Sequence, residues 1–360
     1  MAHPLPVVVL TGFLGSGKTT LLNHLLKDPL LANACVVINE FGAVGIDHLL
    51  VESATENIIE LASGCLCCTI RGDLIDTLGD LLARRAAGTV KAFDRIIIET
   101  TGLADPAPIL HVLMRDPALL NALRLEGVVT VVDAVNGDDT LNSYAEAVKQ
   151  VAVADRIVLS KLDLLEGRAG EDRLFAITTR MRRLNPTARL LTTFRGEATA
   201  ERLFTMGFYD AATKGVDVQR WLNDEALVRP HRHHHHDVSR HDDHIRSFAV
   251  REARAISPRA LEMFLELATS YHGPRLLRLK GIVKLADDPA RPVIVQGAQH
   301  VLHPPLRLAG WPDDDHDSRL VVIVKDIEKA EIEGLFRAFT DQSSAEAAAH
   351  LDQTLSLRKE

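Results

Sequence analysis

Four cysteines occur in the 360 residues, and three of them, Cys65, Cys67 and Cys68, stand within "GCLCC". Thiolates are soft ligands that favour Zn2+ or Cu+. Three thiols on one short segment do not close a tetrahedron, because a structural zinc site usually draws two pairs from separate segments. The spacing describes a site that takes a fourth ligand from elsewhere or keeps that position open, as a protein that passes metal on would need. The adjacent Cys67 and Cys68 do not readily form a relaxed disulfide with each other. A redox C-x-C pair stays open as an alternative. Cys35, inside "ANACVVINE", reads as a small core residue instead.

A second group of residues suits phosphate. "GFLGSGKT", Gly12 to Thr19, fits the pattern G-x-x-x-x-G-K-[ST]. Backbone N–H groups of Gly12, Phe13, Leu14, Gly15, Ser16 and Gly17 would turn inward around phosphate oxygens, and the following helix, with Thr20 in its first turn, would aim its positive end at the same anion. Lys18 would reach the β- and γ-phosphates and the Thr19 hydroxyl would ligate Mg2+. Glu99, in "DRIIIETTG", is placed to hold the Mg2+ shell or orient the attacking water. Gly102 would let its loop sense the γ-phosphate. Base choice falls to "LSKLD", about 140 residues downstream. The Asp163 carboxylate can accept from guanine N1–H and the 2-amino group, the Lys161 stem can lie over the ring, and Ser160 replaces the more usual asparagine. This combination favours GTP over ATP, with looser base discrimination at Ser160. Glu40, in "INEFGAVGID", would stand near both the nucleotide and the cysteines.

The elements that must position these groups read as a mostly parallel sheet. "VVVLTG", "CVVINE", "RIIIET", "VVTVVDA", "RIVLSKLD" and "ARLLTT" are apolar, β-branched runs separated by helical patterns such as "TTLLNHLLKD" and "DLIDTLGDLLARRA". Such runs are buried on both faces in α/β folds, and ligands bind at the carboxyl ends of the strands. The expected fold is therefore α/β, a P-loop NTPase domain over 1–205, followed by a small α+β domain. The second domain, over 245–340, has the strands "IRSFAVRE", "RLLRLKGIVKLA", "RPVIVQGA" and "SRLVVIVK". It has the helices "SPRALEMFLELATSY", capped by Ser257, and "DIEKAEIEGLFRAF". A polar tail follows over 341–360.

Between the domains, over 206–244, lies "RPHRHHHHDVSRHDDH", a polar linker with seven of the sixteen histidines. His233, His234, His235 and His236 are consecutive. Neutral imidazoles bind Zn2+, Ni2+ and Co2+, so the run reads as a low-affinity collector that feeds the thiolates. Net charge is −8, which argues against a nonspecific nucleic-acid binder. No apolar run approaches the roughly 18–20 residues that span a bilayer, so no membrane partner is expected. Few cysteines and no export signal point to the cytoplasm.

"TGFLGSGKTTLLNHLL", "VINEFGAVGID", "ELASGCLCCTIRGDL", "DRIIIETTGLADPAPI" and "ADRIVLSKLDL", in that order, resemble the CobW family of P-loop GTPases. "RLKGIVKLA" followed by "W…SRLVVI" resembles the family's C-terminal domain. The resemblance covers essentially the whole chain. It implies a GTP-dependent metallochaperone, with Lys18, Thr19 and Glu99 serving nucleotide and Mg2+ and with Cys65, Cys67 and Cys68 holding the cargo. The cargo would be zinc first, because a thiolate-rich site with an imidazole-rich collector suits it, beside the cobalt and iron handling with which the family is also associated; the recipient would be a client metalloprotein. A nucleotide-modulated metal buffer or sensor, and a small-molecule kinase with structural cysteines, are the alternatives. The sequence leaves a homo-oligomer open.

Overall fold

The computed structural model describes residues 4–39, 58–60, 69–205, 244–299 and 301–340. The described residues divide into two compact units, one up to 205 and one from 244.

The first unit contains β1 (Leu5–Gly12), β2 (Ala34–Asn39), β3 (Ile58–Glu60), β4 (Arg95–Thr100), β5 (Leu123–Asp133), β6 (Arg156–Ser160) and β7 (Arg189–Thr192). Its helices are α1 (Lys18–Leu25), α2 (Thr69–Ala86), α3 (Ala107–Arg115), α4 (Pro117–Leu120), α5 (Gly137–Ser143), α6 (Ala145–Ala152), α7 (Gly167–Leu184) and α8 (Ala200–Phe204). The strands form one sheet in the order β3-β2-β4-β1-β5-β6-β7, and every pairing is parallel. Consecutive residues Val7, Val8, Val9 and Leu10 are all at most 2% exposed, so both faces of β1 are covered. That explains why these strands read as unbroken apolar runs rather than alternating ones. Leu21, Leu22 and Leu25 of α1 share one core cluster with Leu10, Ile97, Val129 and Phe204.

Strand order fixes where ligands go. The chain builds β2 and β3 on one side of β1, inserts β4 between β2 and β1, then crosses to β5 on the other side. Such a switch point opens a crevice at the carboxyl edge, and β1 ends there in the glycine-rich loop. Register places Ile38 of β2 opposite both Glu60 of β3 and Glu99 of β4, and Glu99 opposite Leu10 of β1.

The second unit contains β8 (Ile245–Glu252), β9 (Leu276–Val283), β10 (Val293–Ala298), β11 (Val301–Leu302), β12 (Leu306–Arg307) and β13 (Ser318–Lys325), with α9 (Pro258–His272) and α10 (Lys329–Thr340). All its strand pairings are antiparallel. Ser257 caps α9, its side chain accepting from Ala260 N at 3.1 Å with Pro258 in the first turn. Phe264 of α9 meets Phe336 of α10 edge-on, ring centroids 4.9 Å apart, in the core beneath the sheet.

Three local expectations change. The three-residue edge strand β3 lacks the length that marks a strand in sequence. β6 stops at Ser160, because Lys161 adopts φ 59 and the chain turns into a 3-10 helix at Leu162–Leu164. α2 begins at Thr69, four residues before the pattern "DLIDTLGDLLARRA" that marked it. Among the described residues, no helix is long and apolar enough to cross a membrane.

Candidate functional site

Gly12 closes β1 with φ 144, and a Cβ there would stand 2.3 Å from Val131 O. Only glycine lets the loop leave the sheet this close to β5. Gly15 and Gly17 take left-handed φ values of 71 and 91, and Gly17 precedes α1 without any side-chain cap. The first N–H groups of α1 are therefore left for an anion. Lys18 is 9% exposed, and its ammonium donates to Gly12 O at 3.0 Å and Phe13 O at 3.4 Å, which keeps the charge at the loop.

Thr19 Oγ1 donates to Glu99 Oε1 at 2.8 Å. The contact spans 80 residues of chain and follows from the β1–β4 register. A hydroxyl and a buried carboxylate at a helix N-terminus suit a hard cation that takes oxygen ligands, such as Mg2+. One residue on, Thr100 Oγ1 donates to Thr11 Oγ1 at 2.8 Å and locks the two strand ends together. Gly102 then packs on the glycine-rich loop, where a Cβ would lie 2.6 Å from Leu14 N. The loop after β4 thus lies against both the backbone and the side chain of Leu14 in the glycine-rich loop.

At the far end, the Ser160 hydroxyl donates to Ser16 O at 2.6 Å. It ties the end of β6 to the glycine-rich loop, a job sequence reasoning did not give it. Lys161 Nζ donates to Asp133 Oδ2 at 2.8 Å. Asp133, at the end of β5, also accepts from Val135 N at 2.7 Å, Asn136 N at 3.1 Å and Asn136 Nδ2 at 3.0 Å. Burial pushes this carboxyl up, but the Lys161 ammonium and the three N–H donors outweigh it and hold it below its ordinary value. Asp133 therefore stays charged and fixes the lysine despite the left-handed backbone of Lys161. Asp163 is exposed on the turn that follows.

The structure brings together Lys18, Thr19, Glu99 and Gly102 at one end of the crevice and Ser160, Lys161 and Asp163 at the other. Thr20 lies exposed in the first turn of α1. Glu40, Cys65, Cys67, Cys68 and His233–His236 lie outside the described residues. Cys35 is buried in β2, and burial pushes its thiol up to about 11, so it stays protonated. Sequence reasoning missed Asp133, Asn136, Lys149 and Gln150. Asp133 carried a signal, since it ends an apolar strand just as Glu99 does.

A model of the CobW/HypB/UreG nucleotide-binding domain matches residues 6–192. A model of the cobalamin synthesis protein cobW C-terminal domain matches residues 245–340. The zinc chaperone YjiA of Escherichia coli is 32% identical over 335 residues, which covers 93% of this chain and 98% of the relative. The zinc chaperone CobW of Pseudomonas aeruginosa is 30% identical, covering 92% of this chain and 91% of the relative. The crystal structure of Zn(II)-bound YjiA GTPase superimposes with a TM-score of 0.69 at 27% identity, covering 94% of this chain and 99% of that one. With both domains matched in order and relatives aligned over nearly their whole length, the chain belongs to the CobW/HypB/UreG family.

Proposed function

We propose that this GTPase is a zinc chaperone that binds Zn2+ at Cys65, Cys67 and Cys68 with help from Glu40, and hands it to a client metalloprotein under control of GTP. The observation that carries the reading is the register of the sheet. Glu40 directly follows Asn39, which pairs with Thr100 beside Glu99, and the cysteine segment follows Glu60, in the same row as Glu99. Neighbouring strands lie about 4.8 Å apart. The chain therefore enters both the cysteine segment and the Glu40 segment at the carboxyl edge that carries the phosphate loop. Two relatives named as zinc chaperones support zinc over other soft-ligand metals. A reducing cytoplasm is where three free thiols persist.

In this reading the glycine-rich loop and Lys18 hold the phosphates, Thr19 and Glu99 would hold Mg2+, and Asp163 with Lys161 reads guanine. Bound there, Mg2+ would supply neutralisation of the phosphate charge. Glu99, 4% exposed, stays fixed by the Thr19 hydroxyl and sets the geometry at that end. Gly102, already against the glycine-rich loop, senses the γ-phosphate and passes its loss on hydrolysis to the neighbouring strand ends. The histidine run, His233–His236, collects zinc weakly ahead of the thiolates.

A zinc titration of the reduced protein against a competing chelator tests this, with and without GTP–Mg2+. The expected result is tight binding that shifts with GTP and disappears in C65A/C67A/C68A. Zinc binding indifferent to the cysteines and to GTP would remove the chaperone reading and leave a plain nucleotide hydrolase.

A further inference from the structure

The loop after β4 does not stand by itself. Gln150 of α6 is 1% exposed, and its Nε2 donates to Gly102 O at 3.2 Å and to Ala104 O at 2.9 Å. The residue before it, Lys149, donates to Asp105 Oδ2 at 2.9 Å. Two consecutive side chains of one helix thus grip three of the four residues from Gly102 to Asp105. Both oxygens facing the Gln150 amide are carbonyls, so its NH2 group must point at the loop. Its Oε1 then has no hydrogen-bond partner among the described residues. The Gln150 side chain also borders a cavity of about 230 Å3 whose other wall is Phe13–Ser16 of the glycine-rich loop.

The helix that carries this grip is itself fixed. Thr130 Oγ1 of β5 donates to Gln150 O at 2.7 Å. Asn185 Nδ2 bonds the carbonyls of Val151, Ala152 and Ala154 at 2.8, 3.1 and 2.9 Å. A buried amide on an anchored helix is a rigid reference point. The held loop has no Cβ at Gly102 and lies in backbone contact with Leu14.

We propose that Gln150, seconded by Lys149, is a positioning residue for GTP hydrolysis: it sets Gly102 and the loop to Asp105 in the place from which they meet the γ-phosphate. The proposal rests on the reading of Gly102 given above. In this reading Gln150 acts through the loop it holds. Without the clamp the loop must be ordered in each turnover, so the cost falls on the chemical step. GDP has no γ-phosphate, and its binding does not depend on the loop.

The test compares Gln150→Met, which keeps volume and removes the donor, with Lys149→Ala and Gly102→Ala. Single-turnover GTP hydrolysis and fluorescent GDP affinity are measured in each. Two lost hydrogen bonds at about 1 kcal/mol or less each predict a roughly tenfold lower rate in Gln150→Met, with GDP affinity within about twofold of the parent. Lys149→Ala shifts the rate the same way by less. An unchanged rate in folded Gln150→Met, or a fall matched by lost GDP affinity, overturns the proposal. Should Gln150→Met fail to fold, Lys149→Ala decides alone, and an unchanged rate there overturns it. A slow Gly102→Ala beside a normal Gln150→Met sinks the clamp only. A normal Gly102→Ala sinks the reading of Gly102 itself.

Discussion

Ser160 shows how one hydroxyl changes the reading of a site. A contact to the base would make its loss a matter of nucleotide choice. Its actual acceptor is Ser16 O in the glycine-rich loop. Ser160→Ala should therefore weaken GTP and GDP alike, by roughly five- to tenfold, the scale of one buried hydrogen bond. The ratio of GDP to ADP affinity should stay at the parent value in competition against fluorescent GDP, and a changed ratio would return Ser160 to the base. Asp133 carries the complementary expectation. Asp133→Ala frees the Lys161 ammonium, so KM for GTP should rise severalfold while the fold survives. The Asp133 carboxyl titrates below its ordinary 3.8, so the stability it adds is present above that pH and is lost only as the pH falls further. Neutral-pH assays thus read the charged form. Asp133 ends an apolar strand as Glu99 does, but its pairing with Lys161, 28 residues away, is written in no local stretch of sequence. The glycine-rich loop was easy, because its whole geometry is written in eight consecutive residues.

At the scale of elements, two glycines of the same loop should behave differently. Gly12 combines a φ of 144 with a would-be Cβ 2.3 Å from the backbone of β5, whereas Gly15, at φ 71, has open space around it. Gly12→Ala must push β1 and β5 apart and should cost roughly 2–4 kcal/mol of stability. Gly15→Ala meets only the left-handed backbone penalty of about 1–2 kcal/mol. Denaturant unfolding of the nucleotide-free protein separates them, and equal losses would contradict the close β1–β5 contact. In the second unit, Glu252 at the end of β8 is bonded by Arg254 Nε and Nη2, both at 2.9 Å, and by Thr340 Oγ1 of α10 at 3.4 Å. The Arg254 hydrogen bond, against a smaller opposing effect of burial, lowers its carboxyl from 4.5 to about 2. A depressed carboxylate stabilises the fold above pH 4.5 and loses that contribution as the pH drops toward 2. Glu252→Gln should therefore lower stability at neutral pH and flatten this part of the acid unfolding curve, the two proteins converging as the pH falls toward 2. The long strands and α9 were legible because period and capping are local signals. β3 was not, since three residues become a strand only through their pairing with β2.

For the molecule as a whole, the sequence order of the motifs forecast a parallel sheet, but not which strand ends become neighbours. That depends on the order β3-β2-β4-β1, which no local window encodes. The same order turns the proposed zinc site and the nucleotide site into a linkage problem. If GTP and zinc each bias the strand ends of β2, β3 and β4, the factor by which GTP changes zinc affinity must equal the factor by which zinc changes GTP affinity. We expect that shared factor to be on the order of tenfold, within the usual range for coupled sites. The measurement needs a non-hydrolysable GTP analogue, because reciprocity holds for binding and not for turnover. Replacing Cys65, Cys67 and Cys68 by alanine should bring both factors to one. Replacing His233–His236 by alanine should leave both intact while removing weakly held zinc from the stoichiometry. Unequal factors in a reversible titration would mean that zinc is binding somewhere the analogue titration does not see. Equal factors that survive loss of the cysteines would move the coupled zinc site away from "GCLCC".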